Sequence, residues 1–256
     1  LSICPQARPV DITHAIPPQD VYHAAFSLFN AASFFPSGTI HLVVVDPGVG
    51  TPRRPLAVQA GGVTYVGPDN GVFSLVLKER PVEMAVELDN PAYHRPAGAI
   101  SHTFHGRDIF APAAAHLAAG VPLMELGPRV TDLVSLPFPA LTLRPPHELA
   151  GEVLYLDHFG NAVTNIGILE WRERQLWLSP IFGQDSAPRA LTGEAVIECR
   201  GRALKLCRTY GEVDPGTPLA LIGSNGMLEI AVRNGNAGAS LGLRPGDPVV
   251  LASKSK

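Results

Sequence analysis

A six-residue apolar run, IHLVVV at positions 40–45, constrains this chain more than any other stretch. Gly38 stands before it, Asp46, Pro47 and Gly48 close it, and its three consecutive valines describe a strand covered on both faces, as in a parallel sheet. Such a sheet needs helices to cover it. The segment DVYHAAFSLFNAASFF supplies one: Val21, Ala24, Ala25, Leu28, Phe29 and Ala32 recur at helical spacing, with Pro17, Pro18 and Asp20 as a start. A weaker strand at 63–66 stops at GPDNG, and residues 72–77 open a second helix. IFAPAAAHLAA predicts a third, from Asp108 to Ala119, with Pro112 near its first turn and Gly120 as its stop. This alternation predicts an α/β N-terminal domain with a mostly parallel sheet.

The second half reads differently. LPFPALTLRPPHEL, residues 136–149, is dense in proline and marks a linker. Beyond it, GEVLYLD, AVIECR, RALKL, PLALIG and LEIAV are short strand-like pieces separated by Gly, Pro and Asn turns. They predict a smaller all-β, barrel-like C-terminal domain. The expected bounds are 1–140 for the α/β domain and 148–256 for the barrel.

Composition excludes several functions. With 46% hydrophobic and 17% charged residues the chain is too apolar for disorder. Twenty basic against 23 acidic side chains leave a net charge of −3, which lacks the basic field that nucleic acid requires. Cys4, Cys199 and Cys207 form no CxxC pair, which suits a reducing compartment. No apolar stretch is long enough to span a bilayer, so a soluble cytoplasmic protein without a membrane partner is expected. The chain opens on Leu1 rather than Met, and its natural N-terminus is expected upstream.

Four segments offer chemistry. In VVVDPGVGTPRR, Asp46 ends the apolar run, Gly48 and Gly50 permit close approach of a ligand, and Arg53 and Arg54 follow on a loop. Neither a Walker loop nor a dinucleotide fingerprint fits, and a structural Asp–Arg ion pair is an equal reading. HTFHGRDIFAP crowds His102, His105, Arg107 and Asp108 before a helix. The histidines and a carboxylate are candidate metal ligands, but HxxH lacks the i, i+4 geometry of a zinc helix, and capping is the simpler task for Asp108. In LDHFGNAVTN an Asx turn accounts for Asp157 to Asn161. Ser224, Asn225 and Gly226 read as a hairpin turn.

Taken together, VDITHAIPPQD, TIHLVVVDPGVGTPRR, YVGPDNGV, TFHGRDIFAPAAAHLA, LDHFGNAVTNI and GSNGMLEIAV resemble the S-adenosylmethionine hydroxide adenosyltransferase family, hydrolytic relatives of the fluorinase and chlorinase. The likeness runs in order from residue 8 to 250. It implies an α/β domain followed by a β-barrel, and a homotrimer with active sites between subunits. The reaction it implies takes S-adenosyl-L-methionine and water to adenosine and L-methionine, with no cofactor and no metal. The family's Asp, Arg and His set falls on Asp46, Arg53 and His105. In the fluorinase the positions matching Asp46 and His105 are tyrosines, and a halide-contacting serine stands at that of Gly106.

For substrate, the resemblance assigns Asp157 to the methionine ammonium and Asn161 to the adenine. Ser224 and Asn225 fall at the methionine carboxylate, although the halogenating relatives carry Arg in place of Asn225. Phe104 matches a pocket aromatic, and Tyr210 is assigned to stack on the adenine, with packing an equal reading. The family's opening TDFG-like strand and its ribose-binding Asp have no counterpart before Ile3. Two other functions stay open: halide transfer giving a 5′-halo-5′-deoxyadenosine, and non-catalytic binding of adenosyl ligands. A metal-dependent hydrolase is the fallback if the resemblance misleads.

Overall fold

The computed structural model describes residues 2–95, 100–139, 141–144, 148–173, 175–182, 187–191 and 194–254. The chain divides into two compact units, Leu1–Leu136 and Pro137–Lys256.

The first unit contains α1 (Val21–Ala32), β1 (Ile40–Leu42), β2 (Pro55–Ala60), β3 (Val63–Pro68), α2 (Ser74–Glu79), β4 (Val82–Glu87) and α3 (Ala111–Ala118). Asp20 caps α1 by accepting the backbone N–H of His23 at 2.9 Å, and the helix buries Ala24, Ala25, Leu28 and Ala32. The strand order is β1-β3-β2-β4. One sheet face packs Leu56, Val58, Val63 and Tyr65 with Ala24 and Leu28 of α1 and Val76 of α2. The other packs Ala57, Val66, Val86 and Leu88 with Ile109, Phe110 and Ala113. Helices thus cover both faces, an α/β arrangement.

The sheet is mixed, which corrects the expectation of a mostly parallel one. β1 and β3 are parallel, whereas β2 runs antiparallel to both β3 and β4. Gly61 and Gly62 cause the first reversal: φ of +59° and +75° lets them close a two-residue hairpin between β2 and β3. The run at 40–45 was also expected to be covered on both faces. Among the described residues β1 has a single neighbour, and Leu42 and Val44 are each almost half exposed.

The second unit contains β5 (Thr142–Arg144), β6 (Glu148–Leu156), β7 (Ala162–Thr164), β8 (Leu169–Arg172), β9 (Gln175–Leu178), β10 (Arg189–Leu191), β11 (Glu194–Cys199), β12 (Arg202–Cys207), β13 (Pro218–Ile222), β14 (Leu228–Val232), α4 (Ala237–Leu241) and β15 (Pro248–Lys254). Seven strands close on themselves in the order β15-β11-β12-β13-β14-β7-β6, because β15 pairs with β6 as well as β11. Closure removes the free edges of the sheet. The interior holds Leu149, Val153, Ile166, Ile197, Leu228, Ile230 and Leu251. Part of the expected linker is strand: β5 pairs with β6, while Ala140 and residues 145–147 of that stretch lie outside the described residues. All three residues of β5 are exposed, so no apolar alternation marks the strand among the prolines around it.

Candidate active site

In the first unit the backbone brings two distant loops together. Beyond β1 the chain stays extended, and the N–H of Val43 donates to Val66 O at 2.9 Å. The Asn70 side chain, from GPDNG, donates to Val45 O at 2.9 Å, anchoring the residue before Asp46. A turn follows, with Val49 N–H to Asp46 O at 3.3 Å and Thr51 Oγ1 to Gly48 O at 2.7 Å. This reversal sets Arg53, just ahead of β2, against Asp46.

Arg53 Nε donates to the two Asp46 oxygens at 2.9 and 3.0 Å, and its Nη2 donates to Asp46 Oδ2 as well. The same Nη2 lies 2.8 Å from His105 Nδ1. A guanidinium only donates, so Nδ1 accepts and the neutral ring carries its proton on Nε2. Burial lowers the His105 pKa, the Arg53 charge lowers it further, and Asp46 and Asp108 oppose both. The Arg53 and Asp46 side chains are 8% and 6% exposed. The Phe110 ring backs the guanidinium at 5.2 Å. Arg53 Nη1 is buried with no hydrogen-bond partner among the described residues. The Nη1 group of this cation therefore has no acceptor among the described residues.

His105 immediately precedes a π-helical turn, Gly106–Phe110, that runs into α3. Such turns recur at functional sites. The two loops touch through glycine. Gly50 has φ +76°, and a Cβ there would stand 2.6 Å from His102 O. Gly50 thus admits the neighbouring loop. A Cβ on Gly106 would sit 3.0 Å from Val44 Cγ1. Phe104 is more than half exposed, with the Arg107 guanidinium 4.8 Å over its ring.

One local reading is corrected. Asp108 is no helix cap: it lies within the π turn, fully buried, and its carboxylate accepts from Ser101 N–H and from Arg107. Among the described residues no three His, Cys, Asp or Glu side chains are grouped to hold a metal ion, and the Nδ1 of His105 faces the Arg53 guanidinium. Arg54 has a structural task, donating to Asp69 at 2.9 Å and to Asp132 at 2.8 Å. The motif VDITHAIPPQD lies beside β1, where Ile12, Thr13, His14 and Ile16 line a cavity of about 320 Å³ with Leu42 and Val44.

The second unit gathers another set. Between β6 and β7 the Asp157 carboxylate accepts the N–H groups of Phe159 at 2.9 Å and Asn161 at 2.8 Å, the expected Asx turn. Gly160 takes φ +83°, and a Cβ there would collide with the Asn236 side chain. The buried Asn161 amide donates to Asp157 at 3.0 Å and to the Tyr210 hydroxyl at 3.2 Å. Tyr210 opens a 3-10 turn, Tyr210–Glu212, fixed by a capping box between Thr209 and Glu212. Burial raises the Tyr210 pKa, and Glu229 and Asp157 add to it. Asp157, Asn161 and Tyr210 are therefore brought together.

Ser224 and Asn225 lie on the hairpin between β13 and β14, as expected, where Gly226 N–H reaches Gly223 O at 2.9 Å. Asn225 Oδ1 accepts Met227 N–H at 3.0 Å, and Ser224 is exposed.

Sequence reasoning missed Glu229 and Phe110. Glu229 stands on β14, its Oε1 packed where a Cβ on Gly223 would have to be. Burial and the Asp157 charge push its carboxyl up to about 7. A lone acid inside LEIAV was the available signal. Phe110 had none, since any apolar residue there fits a helix.

Comparison with known proteins agrees with this architecture. Residues 1–127 match the model of the SAM hydroxide adenosyltransferase N-terminal domain, and 151–250 that of the C-terminal domain. A protein of Thermus thermophilus named (R)-S-adenosyl-L-methionine hydrolase is 45% identical over 94% of this chain and 87% of its own. A fluorinase of an Actinoplanes species is 29% identical over 90% and 83%. A crystal structure of an uncharacterized conserved protein from Thermotoga maritima superposes with a TM-score of 0.78 at 33% identity, covering 98% and 91%. With both domain models matched in order, the chain belongs to the SAM hydroxide adenosyltransferase family.

Proposed function

We propose that this enzyme hydrolyses S-adenosyl-L-methionine to adenosine and L-methionine by in-line attack of water at the ribose C5′. The observation that carries the reading is the partly buried Asp46–Arg53–His105 cluster, in which Arg53 grips both partners while its Nη1 has no hydrogen-bond partner among the described residues. Names of relatives support the same substrate.

Water has a pKa of about 15.7 in bulk, so the site must share its proton. Arg53 Nη1 and the Nε2–H of neutral His105 are donors suited to hold a water oxygen. Asp46 is then the acceptor of its proton. As the C5′–O bond forms, the C5′–S bond breaks, its electron pair returns to sulfur, and the sulfonium becomes a neutral thioether. The proton passes from Asp46 to solvent. General-base help contributes about 10² to 10⁴ in rate, and in-line positioning up to about 7 to 11 kcal/mol.

In the second unit Asp157 is the partner for the methionine ammonium and Asn161 for the adenine, with Tyr210 stacking. Ser224 and the Asn225 turn hold the methionine carboxylate, and Phe104 and Gly106 line the pocket around the reacting centre. We take the assembly to be a homotrimer in the cytoplasm. The resemblance supports the first. Three unpaired cysteines support the second. Among the described residues no helix is long and apolar enough to cross a membrane.

Incubation with S-adenosyl-L-methionine and chromatography of the products tests the reading. Adenosine and methionine in equal amounts are expected. A 5′-chloro-5′-deoxyadenosine product in high chloride would favour halide transfer. Calorimetric binding without turnover over a day would favour a non-catalytic binder.

A further inference from the structure

Asp108 stands three residues beyond His105, with no hydrogen bond to Asp46, Arg53 or the His105 ring among the described residues. Its carboxylate is fully buried and accepts four contacts: Ser101 N–H at 2.9 Å, Arg107 Nε at 2.7 Å and Nη2 at 2.9 Å, and Arg95 Nη1 at 3.5 Å. Arg107, the first cause, and the Ser101 N–H hold its pKa far below the usual carboxylate range. Its backbone is equally engaged, with Asp108 N–H on Phe104 O at 3.2 Å and Asp108 O accepting Arg95 N–H at 2.8 Å. Both ends of the segment 101–108 are therefore tied to one residue.

His105 and Phe104 lie inside that closed segment. Among the described residues His105 is the one side chain of residues 101–108 hydrogen-bonded to the Asp46–Arg53 pair, so the shape of the loop sets how its ring meets Arg53. Phe104 sits under Arg107, whose orientation is fixed by its two bonds to Asp108. An Arg–carboxylate fork fixes direction as well as distance. The rest of the contact is made by glycine: Gly50 admits His102 O, and Gly106 admits Val44.

We propose that Asp108, acting through Ser101 and Arg107, is a positioning residue that holds His105 against Arg53 and Phe104 in the pocket wall. This rests on the hydrolytic reading for its effect on rate, but not for its effect on the His105 ring. The groups that face that ring are Arg53, Asp46, Asp108 and His102. Two consequences of Asp108→Asn then have opposite sign. Loss of the negative charge alone lowers the His105 pKa further. Release of the loop frees the ring from burial and from Arg53, so its pKa rises towards that of an ordinary histidine.

The experiment is imidazole NMR titration of His105 in the intact protein, with kcat and KM for S-adenosyl-L-methionine measured alongside. In Asp108→Asn the account expects the His105 pKa to rise. It also expects kcat to fall by about 10- to 100-fold, the scale of roughly 1 Å of misplacement, with KM rising by a smaller factor as Phe104 shifts. Arg107→Gln, at a half-exposed position, is expected to move both readouts the same way and serves if Asp108→Asn does not fold. A His105 pKa that stays or falls in either folded variant overturns the proposal. If the wild type releases no adenosine, the hydrolytic reading fails while the NMR arm still decides whether Asp108 positions the ring.

Discussion

The two units hold their polar groups in different ways. In the first, Asp46, Arg53 and His105 are locked by short bonds around a guanidinium that is 8% exposed, and charge is balanced within the cluster. In the second, Asp157, Asn161 and Tyr210 gather on loops with Tyr210 42% exposed, and the Glu229 carboxyl on β14 is raised by burial and by the Asp157 charge. A preorganised, desolvated set stabilises charge that develops during reaction. On the proposed function, the half-open acidic set receives the methionine ammonium. On the same reading, rate belongs to the first region and affinity to the second.

The comparison breaks first at Asp46 and His105. Replacing either with Ala is expected to lower kcat by about 10² to 10⁴, the range of general acid–base help, with KM little changed. Steady-state adenosine release measures it, and a drop confined to KM would erase the distinction. Because neutral His105 is required and its pKa is lowered, the acid limb of kcat should lie below pH 6.5. Arg53→Met should also cost about 3 to 5 kcal/mol in chemical denaturation, since it strands the buried Asp46 charge.

Gly50→Ala comes next. It places a side chain at φ +76° and 2.6 Å from His102 O, so a loss of about 1 to 3 kcal/mol is expected. In the second region Asn161→Ala should raise KM for S-adenosyl-L-methionine about 10-fold, the loss of roughly one hydrogen bond, with kcat held within about 2-fold. A larger fall in kcat than in affinity would assign Asn161 to the chemical step.

The smallest effect is at Glu229. Its carboxyl titrates at about 7 in the folded chain against 4.5 as the ordinary value. Between those limits the folded protein keeps a proton that the unfolded chain has lost, so stability falls as pH rises through the window. Glu229→Gln removes that penalty. Its melting temperature should exceed wild type at pH 8 and match it at pH 4.5, and equal values at both would show that burial and Asp157 do not raise the Glu229 carboxyl.

Much of the fold is written in local pattern. α1 is legible because Asp20 caps an uninterrupted apolar stripe, and β6, β11, β12, β13 and β14 because turn residues frame each one. β2 and β4 escaped, since PLAVQA and VEMAVE carry polar residues on strands that become buried only when a neighbour covers them. Strand direction escaped for a similar reason: it depends on which strands pair, which no single segment encodes. The Asp46–Arg53 pair was readable from its loop. His105 lies 52 residues from Arg53, and only the family resemblance linked them in advance. The π turn and the clamp on Asp108 have no sequence signature, because an acid before a helix reads equally well as a cap.

The most direct measurement is the mass of adenosine formed from S-adenosyl-L-methionine in ¹⁸O-labelled water. The account predicts one heavy oxygen, located at the 5′ position, in every product molecule. Adenosine without label at that position, or a product carrying chlorine there, would contradict it.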